Sequence, residues 1–264
     1  MALEALEKEL VYVKVDSANA QQIEHASLQE RDGLVDKFDP QELPSVLRFI
    51  AANGDIWLQY VVENGRKTPT GVIEFIPLKK SLRFDPNKIN EDLSVSPFAI
   101  VLKEQERIFQ DVRRFAKDKK ITYHHGIFMS RRGGGYGTQL LKYAIGQASR
   151  DIIVCYIDGA QISEESGELQ LVPNEDSFTL HLKAGFVLAG VVDPPVYDNE
   201  LVYYSFVRIK NIAFHDHSKV ALNLAEAESA KEVIDSVRYL TSVGYFGVEY
   251  NKKTHQMVFK KARL

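Results

Sequence analysis

The segment ITYHHGIFMSRRGGGYGTQLLKYAIGQASR, residues 121–150, decides the fold. Its first part, Ile121 to Ser130, is rich in β-branched and aromatic residues and predicts a strand. Its last part predicts a helix that ends near Arg150, because apolar residues recur there at helical spacing. These residues are Leu140, Leu141, Ala144, Ile145 and Ala148. A glycine-rich loop therefore joins a strand to a helix.

That loop carries four glycines in the five positions 133–137. Glycine permits positive φ and close approach of the backbone, so successive N–H groups can converge on an anion. The helix that is predicted to begin near Gly137 adds its unpaired N–H groups and the positive end of its dipole. Arg131 and Arg132 supply further positive charge. The loop is therefore predicted to bind a pyrophosphate.

Two common nucleotide-binding motifs do not fit these residues. A P-loop ends in Gly-Lys-Ser/Thr, whereas Gly137 is followed by Thr138 and Gln139. A dinucleotide fingerprint needs glycine in its first, third and sixth places, and Thr138 occupies the place that follows from Gly133 and Gly135. Both mismatches lower these two candidates.

Two motifs carry a resemblance to a known family. Residues 132–137, Arg-Gly-Gly-Gly-Tyr-Gly, satisfy the pattern Arg/Gln-x-x-Gly-x-Gly/Ala. A second motif downstream keeps the spacing of Asn, a small residue, Tyr and Gly-Phe, with histidine in place of tyrosine. Its residues are Asn174, Ser177, His181, Gly185 and Phe186. In these motifs and in the order of its strands and helices, the chain from Leu10 to Ile209 resembles the GNAT superfamily of N-acetyltransferases.

The resemblance implies an α/β fold in which a mixed, twisted sheet is flanked by helices. It places the acetyltransferase domain in residues 1–210, with a long insertion at 79–120 before the fourth core strand. Residues 211–264 lie beyond the resemblance and read as an extension that contains a helix and strands. A helix is predicted at 101–117 within the insertion, and hairpin or loop segments are predicted at 64–70 and 159–168.

The resemblance also implies a cofactor site for acetyl-CoA. No metal is expected, because the sequence has no Cys cluster and no His-Glu-x-x-His pattern. The residues that would line the acetyl group and pantetheine arm are Ile127, Phe128 and Met129. Those that would hold the pyrophosphate are Arg131, Arg132, Gly133, Gly134, Gly135, Tyr136, Gly137 and Thr138. Asn174 either steers the pantetheine or fixes a turn, and Ser177 belongs to the same motif.

In such enzymes the amine attacks the thioester directly, without an acyl-enzyme. An alkyl amine of pKa ~10.4 is mostly protonated at neutral pH, so a general base is useful. Family members often place a glutamate where this chain has Ile121, and His124 or His125 in the same strand could serve instead. His181 occupies the position of the family's tyrosine, which approaches the departing sulfur. It is interpreted either as an imidazolium that protonates the thiolate or as a structural hydrogen bonder.

Bulk properties exclude several other classes. The 264 residues carry a net charge of −3, which argues against a general nucleic-acid binder. The single cysteine, Cys155, lies in an apolar run and is interpreted as a buried strand thiol. No signal peptide and no apolar stretch of membrane-spanning length is evident, so a soluble, cytoplasmic protein without a membrane partner is expected.

The predicted function is transfer of the acetyl group of acetyl-CoA to a primary amine in a ternary complex. Its partners would be acetyl-CoA, an amine acceptor and, in a homodimer, a second copy of the chain. Two alternatives stay open at this point. One is a non-catalytic regulatory or assembly module that binds acetyl-CoA or CoA, and the other is transfer of a different acyl group. The sequence does not identify the acceptor.

Overall fold

The computed structural model describes residues 9–31, 43–78, 119–131, 133–148, 151–162, 169–171, 174–192, 201–225 and 230–263. Most of the predicted insertion, its helix at 101–117, and Arg132 lie outside the described residues. The chain divides into two compact units. The first takes in residues 1–107 and 122–149, and the second takes in residues 108–121 and 150–264.

The first unit contains four strands and three helices among its described residues. The strands are β1 (Glu9–Lys14), β2 (Asp55–Glu63), β3 (Arg66–Leu78) and β4 (Ile121–Met129), which neighbour one another in chain order. The helices are α1 (Ala20–Arg31), α2 (Leu43–Asn53) and α3 (Tyr136–Gln147). The pairs β1–β2 and β2–β3 are antiparallel.

Helices α1 and α3 pack on opposite faces of this sheet. Strand β2 contacts both helices, because neighbouring side chains of a strand point to opposite sides. On one face, the hydroxyl oxygen of Tyr60 in β2 lies 3.0 Å from Nδ1 of His25 in α1. On the other face, the ring of Trp57 lies 5.3 Å from that of Tyr143 in α3. Strand β4 leads directly into the glycine-rich loop, so α3 follows the sheet without further connecting structure.

The hairpin between β2 and β3 is tighter than predicted. The loop assigned to residues 64–70 is wrong, because only Asn64 and Gly65 form the turn and Arg66 already pairs with Glu63. Both turn residues have positive φ, 55° and 74°, as the two-residue turns that suit twisted strands require. A register shift opposite Gln59 and Tyr60 accommodates Thr70, next to Pro69, which fits the preference of proline for irregular positions of a sheet.

The second unit contains seven strands and two helices among its described residues. The strands are β5 (Ile152–Ile162), β6 (Leu169–Leu171), β7 (Val187–Val192), β8 (Leu201–Ile209), β9 (Phe214–Asn223), β10 (Tyr245–Asn251) and β11 (Gln256–Ala262). The helices are α4 (Glu175–Lys183) and α5 (Ala230–Ser242). The strand order is β5-β8-β7-β10-β11-β9, with β6 beside β5, and the pairs of known register are antiparallel.

Two sequence predictions in this unit need correction. Residues 159–162 continue β5 rather than starting a loop, because Ala160 and Gln161 pair with Val202 and Leu201 of β8. Strand β9 was not predicted, because its sequence FHDHSKVALN mixes polar and apolar residues without a clear alternation. It pairs only with β11 among the described strands, so its polar character suits an edge position.

The α/β class with helices packed on a twisted sheet is confirmed, and the sheet is largely antiparallel. The described strands and helix of the predicted extension 211–264 belong to the second unit together with β5, β7 and β8. The division at residue 210 stays a prediction. Cys155 is confirmed as a buried strand thiol, and its burial raises the pKa of that thiol. No helix among the described residues is both long enough and apolar enough to cross a bilayer.

Candidate functional site

The glycine-rich loop adopts a backbone conformation that only glycine adopts readily. Gly133, Gly134 and Gly135 have φ of 80°, 59° and 75°, three left-handed residues in succession. A residue with a Cβ atom would incur a steric cost of roughly 1–2 kcal/mol at each of these positions. At Gly134 an added Cβ would also lie 2.9 Å from Cε2 of Tyr136. The three glycines are therefore required by the loop's own geometry.

The loop turns directly into α3, which begins one residue earlier than predicted, at Tyr136. Gly135 is the N-cap residue of α3. Because glycine has no side chain, no side-chain oxygen caps the first turn. The carbonyl of Gly135 accepts the first helical hydrogen bond from Gln139 N at 3.0 Å. The N–H groups of Gly137 and Thr138 lie in the first turn, where a helix has no preceding carbonyls to bind them. This helix end can therefore receive an anion.

Two buried polar groups of the sheet fix the loop in place. Gln59 of β2, which is fully buried, donates from Nε2 to the carbonyl oxygen of Tyr136 at 3.2 Å. The hydroxyl of Thr70 in turn lies 3.2 Å from Oε1 of Gln59. Since both ends of the Gln59 amide are engaged, the start of α3 is tied to the centre of the first unit's sheet.

Arg131 is held by partners within the first unit. Its guanidinium donates to Oε1 of Glu63 at 3.0 Å and lies 5.2 Å from the centre of the Tyr136 ring. More than a third of its side chain is exposed, so the pair is worth little stability but orients the guanidinium beside the loop. The positive charge predicted for Arg131 is thus partly neutralised. Arg132, the other predicted cation, lies outside the described residues.

Strand β4 presents Ile127, Phe128 and Met129 immediately before the loop. All three are partly exposed, unlike the buried start of the strand at Ile121 and Thr122. The next residue, Ser130, donates its N–H to the carbonyl of Thr70 in β3 at 3.1 Å. The end of β4 is therefore held in the sheet while its side chains stay accessible, as a wall of a binding site requires.

The structure distinguishes the two histidines of β4. His124 is 2% exposed, its Nδ1 lies 3.2 Å from the carbonyl oxygen of Glu74, and its ring packs on Phe75. The His125 side chain is 16% exposed, and its Nδ1 lies 2.5 Å from Oε2 of Glu74. His124 thus belongs to the core. His125 is the histidine that combines access with a carboxylate partner.

Two glutamates that were not predicted from the sequence lie behind His125. Glu74 lies in β3 with its side chain fully buried, and Glu30 lies in the last turn of α1, 2% exposed. Burial, then the charge of Glu74 and a hydrogen bond to it, raises the pKa of Glu30 well above its ordinary value. A charged residue inside the apolar run Val72–Ile76 was the available signal for Glu74, because buried charges need partners.

The downstream motif belongs to the second unit, and there Asn174 fixes a turn. It is the N-cap of α4, and its Oδ1 accepts the N–H of Ser177 at 3.0 Å. Its own N–H donates to the carbonyl of Asp158 at 3.2 Å. Glu175 and Asp176 complete a first turn of favourable charge. The spacing of Asn174 and Ser177 therefore has a local structural explanation. A cofactor contact for Asn174 and Ser177 stays a prediction.

His181 is buried in the second unit, 3% exposed, between Phe186 and Phe206. Its Nδ1 donates to the carbonyl of Ser177 at 2.7 Å. Burial lowers the pKa of His181 to about 4, although the bond to Ser177 acts in the opposite direction. The ring is therefore neutral at pH 7. An imidazolium that protonates a thiolate does not fit this environment, whereas the structural hydrogen bonder does.

Comparisons with known proteins give structural similarity only. No family model matches the chain, and a search of curated proteins found no relative. The chain is similar to a GNAT-family acetyltransferase from Streptococcus pneumoniae at 14% identity and a TM-score of 0.43, over 76% of this chain and 99% of that one. It is similar to the Drosophila melanogaster polyamine N-acetyltransferase, an enzyme that forms N-acetylagmatine. The identity is 14% and the TM-score 0.45, over 76% of this chain and 100% of that one. It is also similar to an aminoglycoside 6′-N-acetyltransferase complexed with coenzyme A, at 13% identity and a TM-score of 0.46, over 75% of this chain and 96% of that one.

Proposed function

We propose that this protein is an N-acetyltransferase that transfers the acetyl group of acetyl-CoA to a primary amine. The observation that carries the proposal is the loop in which three left-handed glycines, Gly133 to Gly135, lead into the N-terminus of α3. Main-chain N–H groups at such a helix end bind phosphate groups of a cofactor. The motif resemblance points to acetyl-CoA as the cofactor, since the residues match neither the P-loop nor the dinucleotide fingerprint.

The chain's own residues supply binding and proton transfer. Backbone N–H groups of the loop and of Gly137 and Thr138 hold the pyrophosphate, and Arg131 lies beside them. Residues 127–129 line the pantetheine arm. Acetyl-CoA, when bound, supplies an electrophilic thioester carbonyl. As the amine nitrogen forms its bond to that carbon and the carbon–sulfur bond breaks, Nε2 of His125 accepts the amine proton.

His125 favours an enzyme over a non-catalytic module. A buried carboxylate bound to Nδ1 of a partly exposed histidine is the arrangement that prepares an imidazole as a general base. Binding of CoA alone does not require such a pair. The soluble, cytoplasmic location and the homodimer stay predictions.

Two measurements on the full chain test the proposal. Calorimetry with CoA and acetyl-CoA is expected to show saturable binding, and release of free CoA thiol is expected when a panel of primary amines is added. The buried Cys155 adds little background to a thiol assay on the folded protein. Binding without thiol release from any amine would favour the non-catalytic module, and absence of binding would refute the cofactor site. Parallel reactions with longer acyl-CoA esters test whether the transferred group is acetyl.

A further inference from the structure

Three carboxyl and imidazole groups from three different elements meet inside the first unit. Oε2 of Glu74 in β3 lies 2.5 Å from Nδ1 of His125 in β4. Glu30 of α1 contacts the Glu74 carboxyl group, and Oε1 of each glutamate is buried without another hydrogen-bond partner among the described residues. Both glutamates are buried, whereas His125 is partly exposed. The group is thus a chain that runs from the interior to an accessible imidazole.

We propose that Glu74 and Glu30 are positioning residues for His125: Glu74 fixes the imidazole as its Nδ1–H tautomer, and Glu30 supplies a hydrogen bond that holds the Glu74 side chain in place. This inference rests on the proposed function for its catalytic consequence. Its structural content, the tautomer and the proton on Glu30, is independent of any substrate.

The partner of Nδ1, a carboxylate oxygen, identifies the donor. A carboxylate oxygen only accepts, so at 2.5 Å the proton of the bond belongs to Nδ1 of His125. The neutral ring then carries its lone pair on Nε2, which is the atom that accepts a proton from an amine. When Nε2 takes that proton, the negative charge of Glu74 stabilises the imidazolium that forms.

Glu30 is the carboxyl group that holds the proton, because burial and the neighbouring Glu74 raise its pKa. Two carboxyl groups buried side by side do not both ionise, because each charge would face the other in a medium of low dielectric. Glu30 has no cationic partner among the described contacts, whereas Glu74 faces His125. The proton therefore stays on Glu30, which donates to Glu74.

Other titratable groups near His125 do not replace this pair. On its own strand, Tyr123 has its ring 6.0 Å from that of His125, and His124 contacts the backbone carbonyl of Glu74 rather than its carboxylate. From β3, the carboxylate that contacts His125 is that of Glu74, and Glu30 of α1 contacts Glu74 in turn. The charge that His125 meets is consequently that of the Glu30–Glu74 pair.

The test uses the full chain and two readouts. Nitrogen-15 NMR of labelled histidine reports the tautomer of His125 without any substrate, with His125→Gln used to assign its signals. Steady-state kinetics with acetyl-CoA and a turned-over amine report kcat, KM and the pH–rate profile. The variants are Glu74→Gln, Glu30→Gln and Glu30→Met. Glu24→Gln, an exposed position on the same helix as Glu30, is the matched control.

The wild-type chain is expected to show the Nδ1–H tautomer. Glu74→Gln should lose that preference, lower kcat by about 100-fold or more with little change in the KM for acetyl-CoA, and move the acidic limb of the profile to lower pH. Glu30→Gln can still donate to Glu74, so it should keep the wild-type tautomer and profile. Glu30→Met cannot donate to Glu74, so it should change the tautomer preference, kcat and pH–rate profile in the same direction as Glu74→Gln, but by less. Glu24→Gln should match the wild type.

The two proposals fail in different ways. An unchanged tautomer and an unchanged pH–rate profile in folded Glu74→Gln would overturn the positioning role while leaving acetyl transfer intact. Equal losses in Glu30→Gln and Glu30→Met would overturn the assignment of the proton to Glu30. A chain that binds CoA and acetylates no amine refutes the proposed function, and the NMR tautomer then decides the structural claim alone.

Discussion

The phenolic O–H of Tyr250 donates to Oε1 of Glu175 across 2.7 Å, joining residues 75 positions apart in the chain. Tyr250 lies in β10, within the predicted extension, and Glu175 begins α4. Nδ1 of His255 lies 2.6 Å from the same carboxylate oxygen, and Lys252 pairs with Asp176. The bond from Tyr250 is the largest cause that lowers the pKa of Glu175. The strands near the C-terminus thus hold the first turn of α4.

Replacing Tyr250 by phenylalanine should destabilise the chain by about 1–2 kcal/mol, because a hydrogen bond to a charged group is lost. The ring itself would remain against Phe178, whose centroid lies 5.5 Å away, so the apolar contact is conserved. Urea unfolding at pH 7 measures the difference. Tyr239→Phe is the matched control, since Tyr239 is 67% exposed and should change little. Equal stability of both variants would mean that the bond to Glu175 contributes nothing.

The buried, neutral His181 predicts a specific dependence of stability on pH. Its pKa is about 4 in the folded chain and near 6.5 when unfolded, so the unfolded chain binds the extra proton between these values. The contribution is fully present above pH 6.5 and is lost as the pH falls towards 4. At pH 4.5 the loss amounts to roughly 2–3 kcal/mol relative to pH 7.

Urea unfolding of the wild type and His181→Gln at pH 7 and pH 4.5 isolates this effect. The variant should be less stable at pH 7, since Gln fits the aromatic pocket poorly, but should lose less stability on acidification. His217→Gln, at an exposed position of β9, should follow the wild type at both pH values. If His181→Gln lost as much stability as the wild type between the two pH values, the neutral state of His181 would be wrong.

The N-cap at Asn174 can be separated from a cofactor contact. Asn174→Ala removes the acceptor for the N–H of Ser177 and should cost about 0.5–2 kcal/mol, whereas Asn174→Ser keeps a capping oxygen and most of the stability. Thermal unfolding measures both variants. We expect Asn174→Ser to bind CoA as the wild type does. A stable Asn174→Ser chain with weakened CoA binding would instead show that the amide reaches the pantetheine.

The part of the site that lies within one continuous segment of sequence was predictable. The strand, the glycines and the helix of residues 121–147 follow from β-propensity, positive φ and helical spacing within one continuous segment. The pairing of Glu30 with Glu74 was not predictable, because 44 positions separate them and only the packing of α1 on β3 brings them together. The short turn at Asn64-Gly65 had a local signal, but Pro69 and Thr70 indicated a longer loop. In the structure a register shift in β3 accommodates both residues within the strand.

The role of the loop in binding is tested most sharply at Gly137, which lies in the first turn of α3 rather than in the left-handed run. Alanine suits a helix better than glycine, so Gly137→Ala should stabilise the chain by about 0.5–1 kcal/mol. If a pyrophosphate approaches the backbone there, the added methyl group should nevertheless weaken CoA binding by about 10-fold or more, corresponding to ~1.4 kcal/mol.

Gly146 provides the matched control in the same helix, because an added Cβ at this position meets nothing within 4 Å. Gly146→Ala should bring the same gain in stability and leave CoA binding unchanged. Calorimetric titration with CoA, together with thermal unfolding, measures both quantities in each variant. A gain in stability without a loss of affinity at Gly137 would place the phosphates away from the start of α3. A loss of affinity in both variants would trace the effect to the helix as a whole rather than to a contact at its first turn.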